Sequence, residues 1–188
     1  LGFVTKLLGV ARLQDGAVSV RVHPALVPGD HPLASVMGPD NAVLIESDTV
    51  RQIMLVGPGA GGVETASAVV ADVLSITGSE PGSFLTGALA DAGRPVAPAG
   101  SLQSAFYLRL EVADQPGVLA RVAQVLGDAG VSILTVLQRG EGDQARLVMI
   151  LHRGPEARVT AALDGLRALP EVHGEPVVIP VVGDGGAQ

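Results

Sequence analysis

Residues 107–133 read as a strand, a tight turn and an amphipathic helix in direct succession, and that order constrains the fold more than any other stretch of the chain. Tyr107 to Val112 alternates in the manner of a half-buried strand. Asp114 and Gln115 are placed to cap the orphan amides of a following helix, and Pro116 suits that helix's first turn. Val118, Leu119, Val122, Val125 and Leu126 then recur at helical spacing, so one helix face is expected to pack on a sheet.

The helix is expected over Pro116 to Ala129 and is followed by strand-like runs at Val131 to Arg139 and Gln144 to Arg153, a second helix at Pro155 to Leu169, and a last strand at Val172 to Val182. The order βαββαβ matches the ferredoxin-like plan. Gly140 to Asp143 supply the turn between the middle strands, and Val159, Ala162, Leu163 and Leu166 supply the second helix's buried stripe. The tail from Gly183 is expected to fray. The run from Tyr107 to Ile133 resembles the opening of an ACT domain, a small regulatory module. The resemblance implies an amino-acid site at the turn matched by Asp114, Gln115, Gly117, Val118 and Leu119.

Composition narrows the class. The 188 residues are 47% hydrophobic and 16% charged, which places the chain well outside the disordered regime. The net charge of −7 comes without a basic run, and Lys6 is the only lysine, so neither nucleic acid nor an anionic membrane surface is an expected partner. With no cysteine, disulfides, thiolate metal sites and thiol nucleophiles are excluded, and a cytoplasmic location fits. Apolar runs such as Leu147 to Leu151 are far shorter than a membrane span. The opening at Leu1, without methionine or leader, suggests part of a longer protein.

In the N-terminal half, residues 3–13 and 17–23 read as two strands turned by Gln14, Asp15 and Gly16. In the second, Val18, Val20 and Val22 alternate with Ser19, Arg21 and His23. His31 to Val36 suits one or two helical turns, and Asn41 to Ser47 and Arg51 to Val56 read as two further strands. Residues 63–77 are expected to be helical, with Val69, Val70, Val73 and Ile76 on the apolar face and Gly78 at the end. From Ser79 to Ser104 the periodicity disappears amid glycines and prolines, which reads as a linker with at most a brief helical turn at Leu85 to Asp91.

Gly57-Pro58-Gly59-Ala60-Gly61-Gly62, between a strand and a helix, satisfies the spacing G-x-G-x-x-G. Alone it is a weak signal. A complete dinucleotide unit needs a second parallel strand after the helix, and here the helix runs into the linker. Such a turn still presents amides at the positive end of a helix dipole, so a ligand site and a close-packed strand-to-helix turn both remain open. His23 and His31 have no carboxylate or cysteine at metal-ligand spacing, and His31 suits a helix start or an interface. Lys6 reads as a solvated or ion-paired strand residue, and Asp72 as a surface or capping acid.

Taken together, Leu1 to Gly9, Val22 to Val27, His31 to Val36, Asn41 to Val43, the glycine turn and Thr65 to Asp72 resemble the C-terminal half of the catalytic region of homoserine dehydrogenase. The resemblance implies an α+β arrangement: residues 1–78 as part of a dimerisation and substrate domain, 79–104 as linker, and 105–183 as a regulatory ACT domain. It implies NADP- or NAD-dependent interconversion of L-homoserine and L-aspartate 4-semialdehyde, feedback by an amino acid, threonine first, and a homo-oligomer. The family's catalytic and metal-binding residues fall upstream, so no catalytic residue and no metal ligand is assigned, and this chain alone is expected to be inactive. Gly61, then Gly59 and Thr65, carry the cofactor assignment near the nicotinamide end. A stand-alone amino-acid-binding regulator and a different ACT-bearing enzyme are the alternatives, and an ACT unit that only strengthens oligomerisation is the alternative to a sensor.

Overall fold

The computed structural model describes residues 2–78 and 93–183, in two compact units. The first comprises residues 1–29 and 95–188, and the second residues 30–94. The helical turn expected at Leu85 to Asp91 and the tail beyond Gly183 lie outside the described residues.

The first unit is built on a six-stranded sheet in the order β1-β2-β8-β5-β7-β6. Its four-stranded part comprises β5 (Gln103–Ala113), β6 (Ile133–Glu141), β7 (Gln144–Pro155) and β8 (Val172–Val181), interleaved with α2 (Val118–Asp128) and α3 (Glu156–Arg167). This is the expected βαββαβ unit, and the strand order β8-β5-β7-β6 with antiparallel neighbours completes the ferredoxin-like plan. Alternation along β5 and β7 sends Phe106, Leu108, Leu110, Val112, Ala145, Leu147, Met149 and Leu151 into one core. Val118, Val122 and Leu126 of α2 and Val159, Ala162 and Leu166 of α3 close over it. Gly165 lets the two helices approach, because a Cβ there would stand 2.8 Å from Cγ1 of Val125.

The edge of this sheet is extended by a hairpin, β1 (Phe3–Gln14) and β2 (Ala17–Pro28). Asp15 and Gly16 take φ of 51° and 77°, the two left-handed residues that a type I′ turn needs. The second strand runs five residues past the expected end at His23. In β2 the odd residues face β1, as the bond from the Gly29 amide to the Gly2 carbonyl shows. The even residues face away, where Val18 pairs with Pro95 and Ala97, and Leu26 accepts from Val182. Pro24 and Pro28 therefore withhold amides on the side that β1 does not use, and prolines on that side do not end the strand.

The segment read as linker also differs at its C-terminal end. Residues 95–104 are tied into the first unit by the Val18 bridge, a 3₁₀ turn at Ala99–Ser101 and a buried Ser104, and β5 begins at Gln103. Likewise β1 and β2 share a compact unit with the ferredoxin-like fold, whereas the sequence boundaries group them with residues 30–78.

The second unit holds a 3₁₀ turn (Pro32–Ser35), the hairpin β3 (Asp40–Ser47) and β4 (Arg51–Pro58), and α1 (Gly62–Gly78). His31 caps the short turn, its Nδ1 accepting from the Leu33 amide at 3.2 Å, as expected of a helix-start residue. The elements fall where the sequence puts them, but the apolar face of α1 is not buried: Val69, Val70, Val73 and Ile76 are 54–80% exposed.

Candidate functional site

Two turns carry the sequence-derived assignments, and each sits at a strand-to-helix junction. In the second unit, β4 delivers the chain to Gly59 and Gly61, and α1 begins at Gly62. The Gly59 amide donates to the Pro39 carbonyl at 2.8 Å, and a Cβ on Gly59 would collide with the side-chain amide of Asn41. Gly61 has φ of +145°, and a Cβ there would collide with the carboxylate of Glu64. Both positions are therefore held to glycine by conformation or close packing. The Gly61 carbonyl accepts from the Thr65 amide at 3.0 Å, which opens the helical ladder.

The charge at this turn narrows what it can hold. Glu64 lies in the first turn of α1, where a carboxylate is favoured by the helix dipole, and its head group covers Gly61. A phosphate brought to the same amides would meet that negative charge. An uncharged group with both donor and acceptor atoms, such as the carboxamide of nicotinamide, would meet an acceptor in Glu64 and a donor in the Thr65 hydroxyl. The turn thus suits an uncharged hydrogen-bonding group better than a phosphate.

In the first unit, Asp114, Gln115, Gly117, Val118 and Leu119 all line one cavity of about 330 Å³ between β5 and the start of α2. Gln138, from β6, joins them: its Nε2 donates to Oδ1 of Asp114 at 3.2 Å. The sequence offered no sign of Gln138, because the pairing that brings β6 alongside is long-range. The other carboxylate oxygen of Asp114 lies against Gly140, where any side chain would collide with it.

The expected capping by Asp114 and Gln115 is not what the turn does. The cap position is Gly117, in the left-handed region at φ 89°, and no side chain caps the helix. The Asp114 amide donates to the Asp143 carbonyl, that of Val118 donates to Gln115, and Arg121 is the first residue to reach back to Gly117. Pro116 consequently precedes the helix, which starts at Val118. With neither carboxylate nor amide side chain spent on them, the amides of Leu119 and Ala120 stay as orphan donors at the positive end of α2. Val118 lines this cavity and also belongs to the core. A carboxyl group is therefore offered amides, and an ammonium is offered Asp114.

Lys6 is half-buried on β1, and among the described residues no group of three or more His, Asp or Glu side chains could hold a metal ion. No helix among them is long and apolar enough to cross a membrane.

Both turns fall within segments that resemble known families. Residues 1–74 match the family model described as homoserine dehydrogenase, and residues 106–171 match the model described as ACT domain. A homoserine dehydrogenase of Pseudomonas aeruginosa is 39% identical over 96% of this chain and 44% of its own length. One from Synechocystis is 40% identical over 97% of this chain and 45% of its own. Among solved structures, a homoserine dehydrogenase from Thiobacillus denitrificans superposes with a TM-score of 0.83 at 34% identity, covering 98% of this chain and 43% of that one. The chain spans less than half the length of these relatives.

Proposed function

Because the chain belongs to the homoserine dehydrogenase family and carries an ACT domain, we propose that it serves as the substrate-domain and regulatory portion of a cytoplasmic enzyme that interconverts L-homoserine and L-aspartate 4-semialdehyde with NADP or NAD. The observation that supports this most directly is that a homoserine dehydrogenase of known structure superposes on 98% of the chain at a TM-score of 0.83. In this reading Gly61, Gly59 and Thr65 close on the nicotinamide end of the cofactor. The cofactor supplies the hydride. The residues of this chain would hold its carboxamide, while the acid and base groups come from elsewhere in the enzyme. The chain on its own is accordingly inactive.

The cavity at Asp114 supports an amino-acid sensor, because it offers orphan amides to a carboxylate and a carboxylate to an ammonium. Threonine is the effector this reading favours, with coupling to activity of about 1–3 kcal/mol. Assembly into a homo-oligomer through the edge of β6, where Leu134 and Val136 are exposed, belongs to the same reading. The test is calorimetric titration of the whole 188-residue chain with threonine, with methionine, isoleucine and homoserine as controls. Saturable threonine binding that Asp114→Ala abolishes supports the sensor; a folded chain that gives no heat with threonine defeats it. In the full-length enzyme, Gly61→Val is expected to raise KM for the nicotinamide cofactor about tenfold or more, with little change in KM for homoserine.

A further inference from the structure

Away from both turns, β2 and β8 touch at one ladder position, Leu26 with Val181, and then separate. The cause is readable in the backbone. Leu26 accepts from Val182, and the next rung of a parallel ladder would need an amide from Pro180, which has none. The carbonyl of Pro24, left without that donor, accepts from Nδ1 of His23 at 2.9 Å. The strands enclose a cavity of about 660 Å³ whose lining includes Arg21, His23, Leu102, Glu156, Val178 and Ile179.

Three features make this cavity more than a packing gap. Because Pro24 can only accept, Nδ1 of His23 carries the hydrogen, and Nε2 of the neutral ring is a bare acceptor. That Nε2 is buried and has no partner among the described residues. Arg21, whose side chain is 19% exposed, donates from Nη2 to the hydroxyl of buried Ser104 at 2.5 Å, which holds the guanidinium in place. Its other terminal nitrogen stands 3.6 Å from the carboxylate of Glu156, an ion pair too long for a hydrogen bond.

We propose that this cavity binds a free α-amino acid with an apolar side chain, at a site separate from the Asp114 turn. Arg21 presents remaining N–H groups to the carboxylate. Glu156 and Nε2 of His23 accept from the ammonium, which satisfies the buried imidazole nitrogen. Leu102, Val178 and Ile179 supply an apolar wall for the side chain. The site takes its walls from β2, the segment before β5, the start of α3 and β8, so an occupant bridges strands that the prolines keep from pairing. The proposal does not rest on the assignment of the Asp114 turn.

The experiment is a titration of the full 188-residue chain, labelled at histidine nitrogen, with L-valine, L-isoleucine, L-methionine and L-threonine, and with isovalerate and isobutylamine as controls lacking one charge. At least one of the amino acids is expected to shift the Nε2 resonance of His23 saturably, with Kd below about 1 mM, and the single-charge controls to bind about tenfold more weakly or worse. Arg21→Met and Glu156→Gln should each weaken that binding about tenfold, while Asp114→Ala leaves it unchanged. Because Glu156 is partly exposed, the Glu156→Gln chain should melt as the parent does, so a loss of binding there is not a loss of fold. No shift at His23 up to roughly 10 mM, or binding abolished by Asp114→Ala and indifferent to Arg21→Met and Glu156→Gln, overturns the proposal.

Discussion

The ferredoxin-like part and residues 30–78 use the same vocabulary of valine-rich strands and an apolar helix stripe, yet only the first has a core. In the ACT unit, Leu108, Leu110, Val122, Leu126 and Leu147 are at most 1% exposed. Among residues 30–77 not one is buried, and Leu55, Leu74 and Val63 stand 61–80% exposed. Periodicity predicts an element and the face it offers, but not whether a counterpart exists to cover it. In the ACT unit the counterpart is encoded in the same hundred residues; for α1 it is not among the described residues.

Unfolding experiments distinguish the two regions. The largest effect is expected from Leu110→Ala, which should cost about 2–5 kcal/mol in urea unfolding, whereas Leu55→Ala should stay within about 0.5 kcal/mol. Equal losses would mean that residues 30–78 have a core after all. Next comes Gly117→Ala, which forces a Cβ into the left-handed cap of α2 and should cost about 1–2 kcal/mol, read in the same experiment, with weaker threonine binding if that turn is the sensor. Arg121→Leu should cost about 1–3 kcal/mol, because its guanidinium meets Glu171 at 2.7 Å, and the second oxygen of that half-buried carboxylate has no partner of its own.

The smallest effect belongs to the surface. Arg167 bonds Glu175 and Asp164 at 3.0 Å each, and the hydrogen bond to Glu175 raises its pKa above the ordinary arginine value. A raised pKa means a contribution fully present below the unfolded value and lost only as pH climbs through the folded one, beyond any working range. Arg167→Gln should therefore lower Tm only slightly, by the same amount at pH 6 and pH 9, and less still at high salt. A strong pH dependence between those values would point to coupling with a group other than these carboxylates.

How much of this was legible in the sequence depends on the distance over which each feature is decided. The βαββαβ order, the Asp15-Gly16 turn and the His31 start are local, and they read correctly. The cap of α2 was misread because Asp114 and Gln115 have capping side chains, but the turn already gives their amides backbone partners and hands the cap to Gly117. The run of β2 through Pro24 was misread because a proline's effect on a strand depends on which side it faces. Gln138 and the gap at Arg21 and His23 were invisible for a plainer reason: both arise from pairings between residues far apart in the chain.

The single rung that joins β2 to β8 has a consequence in time. Leu26 and Val181 are separated by roughly 150 residues, so at about 5–20 residues per second the partner of β2 leaves the ribosome some 8–30 seconds after it does. Throughout that interval the valine-rich hairpin is already capable of forming and presents a bare edge to every other nascent chain nearby. Pro24 and Pro28, which withhold their amides on that outer edge, are the residues that keep it from being copied by the wrong strand.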